Sequence, residues 1–232
     1  MLFLAGCSSS TPQAGASSAT RASSPRPGIS ISSATPVSSA IASSGAATRS
    51  LYTNPAGTPV PIGSAAPLQL QAYPSAWQDS ALVAYVTQTS GGPLVSTPQT
   101  SGGKPQGTLL SRNWTGAQDN LNFYASIGKN TAGRVLIIQC SISGTHITDG
   151  TGFLQNCLGD SVASDQVDAA KSWVASQIPV LTKDLANTPR QAFTSPQPTF
   201  GATRVVIRSD MSLAQQPTVP DLLLYMTAAT AS

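Results

Sequence analysis

The sequence contains no glutamate and a single histidine, His146. All nine acidic residues are aspartates, and the first of them is Asp79. Paired-carboxylate chemistry would therefore depend on aspartate alone, and imidazole chemistry on one side chain. CxxC, HExxH and EF-hand spacings are absent, as are a G-x-S-x-G elbow and a glycine-rich phosphate loop in a strand–helix context. These absences exclude the enzyme classes that such motifs define, and we predict no metal and no soluble cofactor.

Charged residues are scarce as well, at 9% of the chain, and the net charge is +3. Residues 1–66 hold three arginines and no acid, whereas residues 67–232 hold nine basic residues and nine aspartates. The basic residues are dispersed rather than clustered, so we expect no nucleic-acid partner. No segment approaches the roughly 18 apolar residues of a membrane span. The sequence therefore predicts no spanning helix.

The first seven residues read MLFLAGC. Residues 4–7, LAGC, resemble the lipobox that ends the signal peptide of bacterial lipoproteins. The resemblance implies that residues 1–6 are a signal-peptide remnant and that Cys7 is the mature first residue, carrying covalent lipid. Only six residues precede Cys7, fewer than the roughly 7–15 of an apolar signal core, so we expect the reading frame to extend upstream. The alternative is an accidental apolar start on a cytosolic protein.

Serine, threonine, alanine, proline and glycine dominate residues 8 to about 66. Such a composition buries too little apolar surface to offset the entropy of ordering it. We therefore predict that residues 7–66 comprise the lipidated cysteine and a disordered tether, with a mean reach of about 40 Å. Residues 67–232 are expected to form a single globular domain.

Alternating and β-branched runs in the second part predict about six strands. Residues 88–107, rich in glycine and proline, are expected to form a long loop. Two hairpins are predicted, one joining 121–127 to 134–143 across GKNTAG and one joining 203–209 to 222–228. The remaining strand candidates are 68–73, 81–87 and 108–114.

One amphipathic helix is predicted from Ser164, a good N-cap, with aspartates in its first turn. Its apolar positions recur at helical spacing, and Pro179 should kink it or split it in two. The expected fold class is α+β: a mainly antiparallel sheet with this helix packed on one face. A sandwich with an inserted helix is the alternative. The apolar face comprises Val167, Val174, Ile178, Leu181 and Leu185.

Two residues are candidate ligand contacts. Trp114 stands in the polar stretch SRNWTGAQDN beside the predicted loop, and His146 stands in SGTHITDGTG. Asp149 follows the histidine closely, and GDSV at 159–162 is similar to the Gly-Asp-Ser of trypsin-like serine proteases. The spacing and the residue after Ser161 do not match that family, so an exposed loop histidine is favoured over a catalytic base.

Once Cys7 is assigned to lipid, Cys140 and Cys157 remain as an even pair. Because the folded part of a lipoprotein lies outside the cytoplasm, we predict a disulfide between them. Two unlinked buried thiols are the alternative.

These features together predict a lipoprotein anchored to the extracytoplasmic face of a bacterial cell membrane. The favoured role is a non-enzymatic module that binds an envelope protein, glycan or lipid, or that serves in envelope assembly. The alternative is a cell-envelope hydrolase whose Asp/Ser site forms only in the folded chain.

Overall fold

The computed structural model describes residues 51–54, 57–68, 70–74, 77–116, 121–212 and 219–229. Cys7 and the predicted tether as far as residue 50 lie outside this part of the chain. The helices are α1 (Ser80–Ser90), α2 (Thr151–Cys157) and α3 (Val167–Asn187). The strands are β1 (Leu51–Thr53), β2 (Val60–Pro61), β3 (Ala66–Leu68), β4 (Val95–Ser101), β5 (Lys104–Thr115), β6 (Asn122–Lys129), β7 (Val135–Ser143), β8 (Phe193–Thr194), β9 (Thr199–Phe200), β10 (Thr203–Ser212) and β11 (Val219–Ala228).

Nine of these strands form one antiparallel sheet in the order β2-β8-β10-β11-β7-β6-β5-β4, with β9 paired to β10. A separate antiparallel pair joins β1 to β3. The predicted α+β class, a mainly antiparallel sheet with helices, is confirmed. The numbers are corrected: the described residues contain nine strands in the main sheet rather than about six, and three α-helices rather than one.

Both predicted hairpins are present. β6 pairs with β7, placing Ile127 opposite Ile138, and β10 pairs with β11, placing Val206 opposite Tyr225. Since side chains alternate between the two faces of a strand, these registers decide which residues share a face. β11 also pairs with β7, so the two hairpins lie side by side at the centre of the sheet.

The predicted strand at 81–87 is wrong, because these residues belong to α1. Leu82 and Val86 are one helical turn apart and both are buried in the core. The helix ends at Gly91, whose φ of +69° is the left-handed conformation that suits glycine at a helix end. Valine and tyrosine favour strands, but burial of one helical face outweighs that preference here.

The predicted loop at 88–107 is also wrong, because residues 88–90 belong to α1 and residues from Val95 onward lie in a hairpin. β4 and the start of β5 form a hairpin there, joined through Gly102 and Gly103, with φ of +56° and +75°. Two consecutive glycines with positive φ are typical of the tight turns that match strand twist. The second Ser-Gly-Gly triplet is therefore a hairpin turn. In the predicted strand 68–73, Leu68 ends β3 and residues 70–73 form no regular element.

The three helices pack on one face of the sheet. α3 buries four of its five predicted apolar positions, together with Ala170. It begins at Val167 rather than at Ser164, the N-cap position is Gln166, and Pro179 lies inside one uninterrupted helix. The core on this face includes Leu82, Val86, Leu154, Val174, Ile178, Leu181, Cys140, Ile142, Ile207, Leu222 and Leu224.

The opposite face of the sheet carries a second, smaller apolar cluster. Ile137, Val206 and Tyr225 are buried there, and Leu70 packs against them. At residues 51–68, β2 joins the main sheet through β8, with Val60 opposite Thr194. β1 and β2 fall within residues 7–66, the range predicted to form the tether. The domain boundary near residue 66 stays a prediction.

Candidate functional site

A cavity of about 190 Å³ lies between the start of α1 and the turn that joins β6 to β7. Residues 74 and 77–79 form one part of its walls and residues 129 and 132–135 the other, so residues far apart in the chain meet there. The lining residues are Pro74, Trp77, Gln78, Asp79, Lys129, Ala132, Gly133, Arg134 and Val135.

The β6–β7 turn forms one wall, and its shape follows from Asn130. The Oδ1 atom of Asn130 accepts hydrogen bonds from the backbone N–H groups of Ala132 (3.0 Å) and Arg134 (2.9 Å). Asparagine commonly closes turns in this way. Gly133 follows with a φ of +76°, a conformation that favours glycine. The closed turn brings its two flanking residues, Lys129 and Arg134, to the same cavity.

The start of α1 forms the other wall. Asp79 occupies the N-cap position, but its carboxylate makes no capping hydrogen bond. Instead its Oδ2 atom lies 2.8 Å from the Nζ of Lys129, and both side chains are half-buried. The ion pair therefore joins the helix start to the end of β6. Because the Asp79 carboxylate is engaged in this ion pair, it does not cap the positive, N-terminal end of the α1 dipole, which lies at this wall.

Trp77 has an indole nitrogen, Nε1, with neither a hydrogen-bond partner nor solvent access among the described residues. Its ring stacks on Tyr73, with centroids 4.7 Å apart. Tyr73 is buried, its backbone N–H donates to the Val135 carbonyl (2.8 Å), and burial raises the pKa of its phenol above the ordinary value. Tyr73 is thus fixed to β7, and the Trp77 ring that stacks on it is held at the cavity.

A second polar group lies on the face of the sheet opposite the helices, near the end of β10 and the start of β11. Asp210 and Asp221 are directly opposite each other in these strands, and Arg208 forms an ion pair with Asp210 at 2.6 Å. The pKa of Asp221 is raised from 3.8 to about 7, mainly by burial and also by repulsion from Asp210, while attraction to Arg208 opposes both. On its other side, Asp221 is opposite Ser143 of β7.

Trp114, a predicted ligand contact, lies in an aromatic cluster on the helix side of the sheet. Its ring stacks on Phe123 at 5.6 Å and meets the edge of Phe153 at 5.3 Å, and Tyr85 of α1 adjoins Phe153. Trp114 remains half-buried. These contacts account for its position by packing, and its role as a ligand contact stays a prediction.

His146 is exposed immediately before a short 3₁₀ turn, and its carbonyl oxygen accepts from the N–H of Asp149 at 3.0 Å. Ser161 lies elsewhere and is buried. Its hydroxyl donates to the Leu158 carbonyl and lies 2.9 Å from the sulfur of Met226. No hydrogen bond links His146 to Ser161 in the described part of the chain. The structure therefore does not bring the histidine and the serine together.

Cys140 in β7 and Cys157 at the end of α2 lie at disulfide distance. Their sulfur atoms are 2.25 Å apart. Their Cα atoms are 6.5 Å apart, within the range that a disulfide allows. Both side chains are fully buried on the helix side of the sheet. The predicted lipidation site, Cys7, lies outside the described residues.

The sequence analysis missed the cavity residues and the aspartate pair. Lys129 and Arg134 flank the predicted GKNTAG turn, so their proximity could have been inferred from the hairpin. Asp79 precedes residues 81–87, which are predicted from sequence to form a strand. Its position at the start of a helix was therefore not predicted. Asp210 and Asp221 become neighbours only through the register of β10 and β11.

Within the described residues, no three histidine, cysteine or acidic side chains cluster closely enough to hold a metal ion. No described helix has the length and apolar character needed to cross a membrane. Comparisons with protein-family models, curated proteins and solved structures find no match for this chain. The function is therefore argued from the geometry of its own residues.

Proposed function

We propose that this protein is a bacterial lipoprotein, held by lipid on Cys7 at the extracytoplasmic face of the cell membrane, where its folded part binds a ligand. The observation that carries the proposal is the Cys140–Cys157 pair at disulfide distance. Disulfides persist outside the cytoplasm and are rare within it. The pair therefore supports the compartment that the LAGC motif implies.

The cavity beside α1 supports binding rather than catalysis. Its described lining residues include two cations, one carboxylate and an indole, but no serine, cysteine or histidine that could act as a nucleophile. Asp79 already forms an ion pair with Lys129. Charged and aromatic groups converging on a cavity are the usual elements of a small-ligand site. An envelope glycan or another small envelope component fits this chemistry better than a nucleic acid.

Mass spectrometry of the protein from its native host tests the anchor. We expect an N-terminal peptide that begins at Cys7 and carries acyl chains, and we expect the protein in the membrane fraction. Cys7→Ala should release it to the soluble fraction, whereas Ser8→Ala, the matched control one residue on, should leave it bound. An unmodified Cys7 still joined to residues 1–6 would contradict the proposal.

A second candidate function, a cell-envelope hydrolase, is favoured by the Asp210–Asp221 pair. A carboxyl group whose pKa is about 7 beside a second aspartate resembles the acid and base pairs of hydrolytic sites. The test is a panel of chromogenic ester and glycoside substrates. This function would be supported by turnover whose pH dependence shows a pKa near 7. Asp210→Asn and Asp221→Asn should each abolish that turnover. Turnover unaffected by either variant would exclude it.

A further inference from the structure

We propose that the cavity beside α1 binds a small monocarboxylate that carries hydroxyl groups, the chemical class of sugar acids. The proposal rests on the binding function proposed above and specifies its ligand. It follows from three properties of the cavity: the charge of its lining, the aromatic side chain of Trp77, and its volume.

The charge of the lining selects a single negative charge. Lys129 and Arg134 are cations and Asp79 is an anion, so the lining carries one net positive charge. Lys129 is already paired with Asp79, whereas no ion pair or side-chain hydrogen bond engages the Arg134 guanidinium in the described residues. A guanidinium binds a carboxylate through two parallel hydrogen bonds. Because Asp79 would repel a second negative charge, a monoanion fits better than a dianion.

Trp77 gives the cavity an aromatic surface. Its side chain lines the cavity, and its ring is held there by stacking on Tyr73. Its Nε1 has no solvent access among the described residues, so a ligand in the cavity would contact the ring rather than the N–H group. Aromatic side chains are common in the lining of small-ligand sites.

The volume limits the size of the ligand. A cavity of about 190 Å³ lies below the roughly 300–1,000 Å³ of sites for drug-sized molecules. Such a volume suits a single small molecule on the scale of one sugar ring. Asp79 and Gln78 add polar groups that can receive or donate hydrogen bonds to ring hydroxyls.

The experiment compares three probes on the full chain: D-glucuronate, the neutral analogue D-glucose, and inorganic phosphate at a pH where it is mainly a dianion. Binding is followed by calorimetry and by the three indole N–H signals in the nuclear magnetic resonance spectrum, one for each tryptophan. We expect glucuronate to bind with a Kd on the order of 1 mM, typical of a ligand with about a dozen non-hydrogen atoms. Glucose and phosphate should bind at least about tenfold more weakly.

Variants connect that binding to the cavity. Arg134 is exposed, so Arg134→Gln should fold normally and weaken glucuronate binding about tenfold, whereas Arg134→Lys should restore part of it. Arg190→Gln, which removes an exposed cation just beyond α3, is the matched control and should change nothing. Glucuronate should shift one indole signal, and Trp77→Phe should identify it.

Absence of glucuronate binding would overturn the proposal, as would equal affinity for glucose or phosphate. Unchanged affinity in Arg134→Gln would place the ligand elsewhere and overturn it too. None of these results bears on whether Cys7 is lipidated, so failure of the ligand assignment remains distinguishable from failure of the anchor.

Discussion

Asp221 illustrates how a cross-strand neighbour changes the ionisation of a side chain. Its residue is half-buried, yet its Oδ1 has no solvent access and no hydrogen-bond partner in the described part of the chain. Asp210 lies across the strand pair, and Arg208, whose charge favours the ionised form of Asp221, is already paired with Asp210. The neutral acid is therefore the favoured form up to about pH 7.

This ionisation predicts a loss of stability as the pH rises. The folded-state pKa of about 7 exceeds the ordinary value of 3.8, so between these values the folded protein retains a proton that the unfolded chain has lost. Stability should fall across this window and level off above it. Asp221→Asn mimics the neutral acid, so it should raise the free energy of unfolding by up to about 4 kcal/mol at about pH 8. It should change that free energy little at about pH 4.

Urea unfolding at the two pH values measures this difference. Asp165→Asn, which removes an exposed carboxylate ahead of α3, is the control and should show no such pH-dependent gain. Asp210→Asn should reproduce part of the effect, because it removes the repulsion that raises the pKa of Asp221. If Asp221→Asn destabilised the protein equally at both pH values, the assigned ionisation would be wrong.

The Cys140–Cys157 pair predicts a sensitivity to reducing agents. A disulfide across a sequence separation of 17 residues should stabilise the fold by about 3 kcal/mol, by restricting the unfolded chain. We expect a reductant to lower the urea midpoint of the wild-type protein and to leave the Cys140→Ala/Cys157→Ala variant unaffected. Equal midpoints with and without reductant, together with two alkylatable thiols in the unreduced protein, would show that no bond forms.

Among the elements, the β4–β5 hairpin depends on glycine at two positions for different reasons. Gly102 lies in the turn with a φ of +56°, and a Cβ atom there would meet nothing within 4 Å. Gly107 has a φ of +132°, and a Cβ atom there would lie 1.9 Å from the carbonyl oxygen of Lys129 on β6. The position of Gly102 therefore requires glycine only for its backbone conformation. The position of Gly107 requires it for its conformation and also for the close approach of β6.

Alanine substitutions separate these two effects. Gly102→Ala should destabilise the protein by about 1–2 kcal/mol, the cost of a side chain in the left-handed region. Gly107→Ala should destabilise it by clearly more, because the clash adds roughly 1–3 kcal/mol or displaces the strand. Thermal unfolding of the two variants tests the order. A smaller loss for Gly107→Ala would contradict the described pairing of β5 with β6.

The arrangement of the whole chain yields a test by limited proteolysis. The predicted tether contains Arg21, Arg26 and Arg49, but the bond after Arg26 precedes proline. Trypsin should therefore cut first after Arg21 and Arg49, and the stable fragment should begin at residue 50, ahead of β1. Mass spectrometry of the time course identifies the products. Initial cleavage within α3 or the central strands, with the N-terminal bonds intact, would contradict the tether.

The sequence by itself determined the features that local patterns encode. The fold class, the β6–β7 and β10–β11 hairpins and the buried face of α3 follow from hydrophobic periodicity and turn residues, both of which act over a few neighbours. The cysteine pairing followed from counting residues and from the inferred compartment. Trp114 stands in a polar stretch of sequence, yet its two aromatic partners, Phe123 and Phe153, come from two other elements.

Only the tertiary structure decided what depends on distant residues. Residues 81–87 have strand-forming side chains, and they are helical because Leu82 and Val86 pack into a core built by other elements. The cavity required the closed Asn130 turn and the Asp79–Lys129 ion pair, which joins residues 50 positions apart. Asp210 and Asp221 face each other through strand register alone. A local sequence pattern carries no information about which charged residue from a distant part of the chain will lie beside it. The candidate sites consist of residues that come together in this way.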